Sequence, residues 1–340
     1  MEILLTDPSA ISEPRNWIES RLAVLINDKR DLPVLTMQIL TFFVMTLAAG
    51  LVFVYFTWWT ALIYLALFIV FMGPHTITLH LMSHRKYFKQ KFRWLDYPLL
   101  HGLGMLFGHT PRSYYSHHIG MHHVEGGLDP DASCTHHFRR DSISGFARYL
   151  TRFLFVGFAD LKKYLSYKKM EHLRRQVNIG SAIHTAVIVA FALVNWKATI
   201  VVFLVTIVYT RTIMMVGNWG QHSMVDEASP DNVYRNTITC INGFYNRWCF
   251  NDGYHISHHI HPTMHWTEHP KAFTKNLQKY ADEDAIVLKT IDFFGVWLLL
   301  MLKRYDTLAK FYVNVGGRER THDEVVSLLR QRTHKIEPTS

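Results

Sequence analysis

From Leu35 to Phe56 the chain carries no charged residue and is dominated by apolar ones (QILTFFVMTLAAGLVFVYF from Gln38). That is long enough for a helix to cross a bilayer, which takes roughly 20 apolar residues. A short link with paired tryptophans, Trp58 and Trp59, suits a membrane–water boundary, and a second uncharged run follows from Ala61 to Met82. Another pair reads from Val177 to Trp196 and from Ala198 to Val216, broken at Asn195–Lys197. Three further apolar runs, Tyr97–Phe107, Tyr149–Phe158 and Ile291–Leu302, are too short to cross and predict surface-lying or re-entrant segments. Asn16–Leu25 predicts a short amphipathic surface helix, and Thr321–Glu324 reads as a capping box opening a C-terminal helix. The pattern therefore predicts an all-α integral membrane protein. Two hairpins give four transmembrane helices, with a helical cytosolic cap between and after them. The expected divisions are an N-terminal segment 1–32, a membrane-embedded domain 33–316 and a C-terminal tail 317–340.

Charge orients this scheme. The chain has 36 Lys+Arg against 27 Asp+Glu, a net charge of +9. No nucleic-acid-binding motif accompanies that excess, so no nucleic-acid partner is expected. The positive charge flanks the apolar runs instead, which suits anionic lipid at a cytosolic membrane face. Between Arg85 and Arg175 lie sixteen Lys/Arg and seven Asp/Glu, whereas the link near Asn195 holds one lysine. The positive-inside rule then places both termini and the long loop in the cytosol. The first thirty residues lack a signal-peptide pattern, so the first apolar run is expected to act as an internal anchor. Three cysteines without CxxC spacing argue against a disulfide scaffold or an iron–sulfur site. GLGMLFG at 102–108 lacks the spacing of a nucleotide loop.

Histidines cluster where the apolar runs end. NDGYHISHHIHPTMHW holds His255, His258, His259, His261 and His265. On a helix His255 stands one turn from both His258 and His259, so three imidazoles can converge on one side. HLMSH places His80 and His84 at i, i+4 at the end of the second run, and SHHIGMHH places His118 and His122 likewise. His123 points to one side, where it can reach a second ion. Asn218 and His222 in NWGQH are also i, i+4 on one face. Neutral imidazole is the commonest transition-metal ligand, and a nitrogen-rich, thiolate-free set suits redox iron with open positions better than structural zinc.

HLMSH, HHIGMHH and HISHH between two membrane hairpins resemble the three histidine boxes of the membrane fatty acid desaturase–hydroxylase superfamily, over roughly residues 35–270. NWGQH is similar to the Asn-x-x-x-His of stearoyl-CoA desaturases. The resemblance implies a di-iron centre ligated by His80, His84, His118, His122, His123, His222, His255, His258 and His259, with Asn218 holding a metal-bound water. It also implies dioxygen as co-substrate, a fatty acyl substrate, membrane lipid around the stem, and a separate electron donor of cytochrome b5 or ferredoxin type. No haem, flavin or ferredoxin motif is present to supply those electrons internally. The endoplasmic reticulum and a bacterial inner membrane fit equally.

The spacing departs from the acyl-CoA desaturases. The first box has three residues between its histidines instead of four, and the second reads HxxxHH instead of HxxHH. That series is also found in membrane alkane monooxygenases, so hydroxylation and oxidative decarboxylation to a terminal alkene stand beside desaturation. A non-catalytic metal carrier is a rival from another class, but carriers place polar groups near the bilayer midplane. Several residues keep two readings. His75 is either a hydrogen-bonded polar group within the bundle or a functional one. His117 is a ligand, a supporting partner or exposed. Glu125, Asp129 and Asp131 either orient ligand histidines or form an acidic surface turn. His261 and His265 either support the third box or sit in an exposed loop.

Overall fold

The computed structural model describes residues 3–9, 14, 16–316 and 318–336. The chain is mostly helical. The elements that matter here are α1 (Trp17–Ala23), α2 (Leu32–Val54), α3 (Trp58–His84), α4 (Ser113–His117), α5 (Ile143–Tyr167), α6 (Glu171–Thr199), α7 (Thr206–Gln221), β1 (Ile238–Ile241), α8 (His255–Ile260), β2 (Ile286–Lys289), α9 (Phe293–Met301) and α10 (His322–Gln331). α1 is the surface helix predicted from residue 16 onward, with the Asn16 side chain accepting the Glu19 N–H. α10 opens on the Thr321/Glu324 capping box. The two short strands pair in parallel, Ile238 against Ile286, and are the one departure from an all-helical reading among the described residues.

By its internal contacts the chain divides into two units, one of Ile11–Met121 with Leu161–Thr212, the other of Met1–Ala10 with His122–Asp160 and Ile213–Ser340. The first unit holds two stretches long and apolar enough to cross a membrane, Lys29–Val54 and Trp58–His84, and most of a third, Glu171–Gln221. Pro33 sits in the first turn of α2, where a missing N–H costs nothing. α3 starts at a reciprocal cap between Thr57 and Thr60. Its termination at Arg85 places His80 and His84 in the last turns.

The third stretch is 51 residues long, about 77 Å if straight. It is not straight. Asn195 leaves helical geometry (φ −156°, ψ 99°), and its side chain caps the following turn through the Ala198 N–H at 3.2 Å. Phe191 and Phe203 would lie about 18 Å apart along one helix. Their rings are 5.6 Å apart, so the chain folds back at the break the sequence predicted.

This unit is turned inside out relative to a water-soluble bundle. Leu47, Phe43, Val54, Leu62 and Ile63 are exposed, while Gln38, Thr41, His75, Thr78 and His184 are buried. Large contiguous apolar exposure is disfavoured in water and expected against lipid. α6 approaches the turn before α4 closely where a side chain is absent: a Cβ at Gly180 would overlap the Pro111 carbonyl.

The second unit has an ordinary core. Trp219, fully buried, packs against Phe146, Tyr149 and Phe138, and its indole N–H donates to the Arg140 carbonyl at 2.9 Å. The short apolar run at 291–302 becomes α9, nine residues whose Phe293, Val296 and Leu300 fill this core. α9 is too short to span.

Gly180→Val is expected to lower the melting temperature of the detergent-solubilised protein by several degrees, a loss of about 2 kcal/mol or more, because a rigid backbone carbonyl must move. An unchanged melting curve would show that the two segments part freely.

Candidate metal centre

Each unit gathers histidines. In the second, the Nε2 or Nδ1 atoms of His122, His222, His255 and His259 lie within 4.8 Å of one another. His255 Nε2 is 3.0 Å from His259 Nε2 and 3.3 Å from His222 Nε2. His123 Nε2 stands 3.1 Å from His258 Nε2 in the same unit. In the first unit His80, His84 and His118 converge, with His84 and His118 Nε2 atoms 2.9 Å apart. All nine histidines named from the sequence thus stand beside other named histidines.

Their distribution differs from the simplest reading of the boxes. His118 faces the first box, while His122 faces His222 and His259. Residues 118–122 form a π-helical segment, in which the wider turn changes which side chains share a face. In the third box His259 follows His255 at i, i+4, whereas His258 turns about 100° from His259 toward His123. A consecutive His-His pair on a helix therefore feeds two different groups.

Two members of the four-histidine group, His122 and His222, are wired so that a lone pair points inward. His122 Nδ1 donates to Asp131 at 2.8 Å, and Asp131 is held in turn by the Ser133 N–H and hydroxyl, each at 2.8 Å. His222 Nδ1 donates to the Asn236 carbonyl at 3.3 Å. A nitrogen that donates outward leaves its ring partner unprotonated on the inward side. Gly127, at φ +78°, packs its backbone against the His222 ring, where a Cβ would come within 3.3 Å. A proton is a poor occupant of this space. Burial, followed by the charge of His122, pushes the His222 pKa down to about 3, and burial with the neighbouring imidazoles holds His259 well below the ordinary histidine range. Clustered ring nitrogens, two of them held toward the neutral form, fit a transition-metal cation.

The remaining candidates separate. Asp131 backs His122, but Asp129 pairs with the exposed His137 at 2.7 Å. Asn218 donates to the Ser133 carbonyl at 3.0 Å and the Tyr149 hydroxyl at 2.8 Å, bracing the loop that carries Asp131. His75 lies among the apolar helices, 3.0 Å from the Gln38 amide and stacked on Phe107. His261 is exposed, and His265 is buried in a turn with Thr267 against Trp266. His117 is half-buried on α4, and Glu125 ends the turn after His123; neither is a member of the groups above.

A match to the family model described as fatty acid desaturase covers residues 26–290. The chain belongs to the fatty acid desaturase family. A search of the curated proteins returned no match. Within a fatty acid desaturase chain, histidine groups at the ends of apolar helices are the metal-binding candidates, and the geometry above fits that role.

Sequence reasoning missed one support of this desaturase-family site. Asp7, near the N-terminus, accepts from the Tyr254 hydroxyl and the Asn242 N–H, both at 2.7 Å. Asn251 donates to the Pro8 carbonyl at 2.6 Å and the Trp266 carbonyl at 3.0 Å. The N-terminal segment thereby clamps the loop that launches α8. No sequence signal marks a contact some 240 residues long.

Asp131→Asn is expected to cut metal retention about tenfold or more, scored as metal content after dialysis against a chelator. Retention equal to the parent would mean that Asp131 does not orient His122.

Proposed function

We propose that this chain is a membrane di-iron oxidoreductase that introduces a double bond into a fatty acyl chain. Four helices would cross the bilayer, with the Asn195 reversal dividing the third apolar stretch into two. Both termini would face the cytosol, following the basic residues between Arg85 and Arg175. The observation that carries the reading is the inward convergence of His122, His222, His255 and His259, which supplies a thiolate-free nitrogen set for one iron. His80, His84, His118, His123 and His258 are the remaining proposed iron ligands, and Asn218 is proposed to hold a metal-bound water.

Iron at these positions would supply dioxygen activation: one O2, two external electrons and two protons take two hydrogens from adjacent carbons and leave two waters. The protein's part is to fix the imidazole tautomers through Asp131 and the Asn236 carbonyl, to keep protons off the ligands by burial, and to hold the chain. Placement of the acyl carbon decides between losing a second hydrogen and gaining a hydroxyl. The basic loop suits an acidic electron-donor protein such as cytochrome b5 or a ferredoxin.

The test is gas chromatography–mass spectrometry of lipids from cells expressing the protein, with His258→Ala at equal expression as control. The expected result is an unsaturated acyl species absent from the control. A hydroxylated acyl species or a terminal alkene would overturn desaturation, and identical profiles would count against an oxidoreductase.

A further inference from the structure

We propose that Arg112 receives the anionic head of the acyl substrate, at a cavity beside His84 in the first unit. This rests on the fatty acyl oxidoreductase reading above and names the substrate class it leaves open. The cavity has a volume of about 860 Å³, within the range of sites that enclose a lipid-sized ligand. Its wall runs from the end of α3 past His84 to α4 and the first turns of α6, and includes apolar side chains such as Met82, Leu100 and Leu173. One end of an acyl chain in this space would lie next to a proposed metal ligand.

The charges on the lining are unbalanced. Arg85, Lys86, Arg93 and Arg112 line it, against a single carboxylate, Asp96. Arg85 is neutralised by Asp28 at 3.2 Å and Asp31 at 3.3 Å. Asp96 stands beside Arg93, whose charge offsets part of the burial that raises the Asp96 pKa. Arg112 differs from both. It is half-buried, and among the described residues its side-chain hydrogen-bond partner is the neutral amide oxygen of Gln176, at 2.6 Å. That bond occupies one of five guanidinium N–H groups and fixes the fork in place. The charge is felt inside the cavity, where it adds to burial in lowering the His101 pKa.

The backbone adds a second observation. Arg112 has φ +65°, ψ −14°, a left-handed conformation that L residues with long side chains seldom adopt, immediately before α4. Such strain persists where the surroundings over-determine it, typically at sites of function. Glycine would relieve it; the chain holds arginine there. A fixed, half-buried guanidinium on a wall with an excess of positive charge is suited to a carboxylate or phosphate. The shared chemistry is an anionic head, whether the carboxylate of a free fatty acid or the phosphates of a coenzyme A thioester.

The experiment compares the full-length protein in detergent with Arg112→Gln and Arg112→Lys. Each is titrated with palmitate, palmitoyl-CoA and methyl palmitate in competition with a bound fluorescent fatty acid. The parent is expected to prefer one anionic ligand over the neutral ester. Arg112→Gln should weaken that ligand by about tenfold or more and leave the ester unchanged, with partial recovery in Arg112→Lys. Loss confined to palmitate identifies a free carboxylate, and loss confined to palmitoyl-CoA identifies its phosphates. Equal binding of all three by the parent, or anion preference retained in Arg112→Gln, would overturn the proposal. Circular dichroism and melting temperature separate misfolding from lost binding, and a misfolded Gln variant leaves Arg112→Lys to decide through its own change in preference. Product formation by the parent without Arg112-dependent preference sinks this inference alone. Arg112-dependent anion binding without any oxidised product sinks the oxidoreductase reading and leaves the anion site.

Discussion

Everything in the second unit bears on one electrostatic constraint: basic ring nitrogens are held together where protons cannot join them. Four imidazoles within 4.8 Å would repel as cations, and as neutral rings they present lone pairs to one another. Burial drives His222 and His259 toward the neutral form, and Asp131 and the Asn236 carbonyl take the outward N–H groups of His122 and His222. A metal cation fits such an arrangement of ring nitrogens. The surrounding structure serves to keep it so. Trp219 and its aromatic neighbours fix the helix end that presents His222, Asn218 and Thr135 tie the intervening loop, and the N-terminal segment holds the turn before His255.

Helix geometry then explains why histidines come in adjacent pairs. Neighbours on an α-helix diverge by about 100°, so a pair such as His258-His259 cannot serve one ion with both rings. It serves two groups, as His123 with His258 and His259 with His255 show. The π-helical turn at 118–122 does related work in the second box, where straightforward helical spacing would have given His118 and His122 a common partner.

Much of this was legible in the residues. The apolar runs without charge gave the long helices, Asn195–Lys197 gave the reversal, and the boxes gave the nine histidines that the structure gathers. What stayed hidden depended on distance or on backbone detail. Asp129 and Asp131 are two residues apart in one acidic turn, and only the fold decides which carboxylate meets His122. A π-helical turn has no reliable sequence mark. The parallel pairing of Ile238–Ile241 with Ile286–Lys289 joins segments nearly fifty residues apart, and each is too short for its period to be read. Asp7 lay in a stretch that reads as a polar tail.

The proposed di-iron site divides the histidines within a box between two ions. Iron content per chain of purified protein, the parent beside His222→Ala, addresses it most directly. The account predicts about two irons per chain in the parent and about one in the variant, because His222 belongs to the four-histidine group alone. A parent that holds a single metal, or a variant that keeps its full complement, would contradict it.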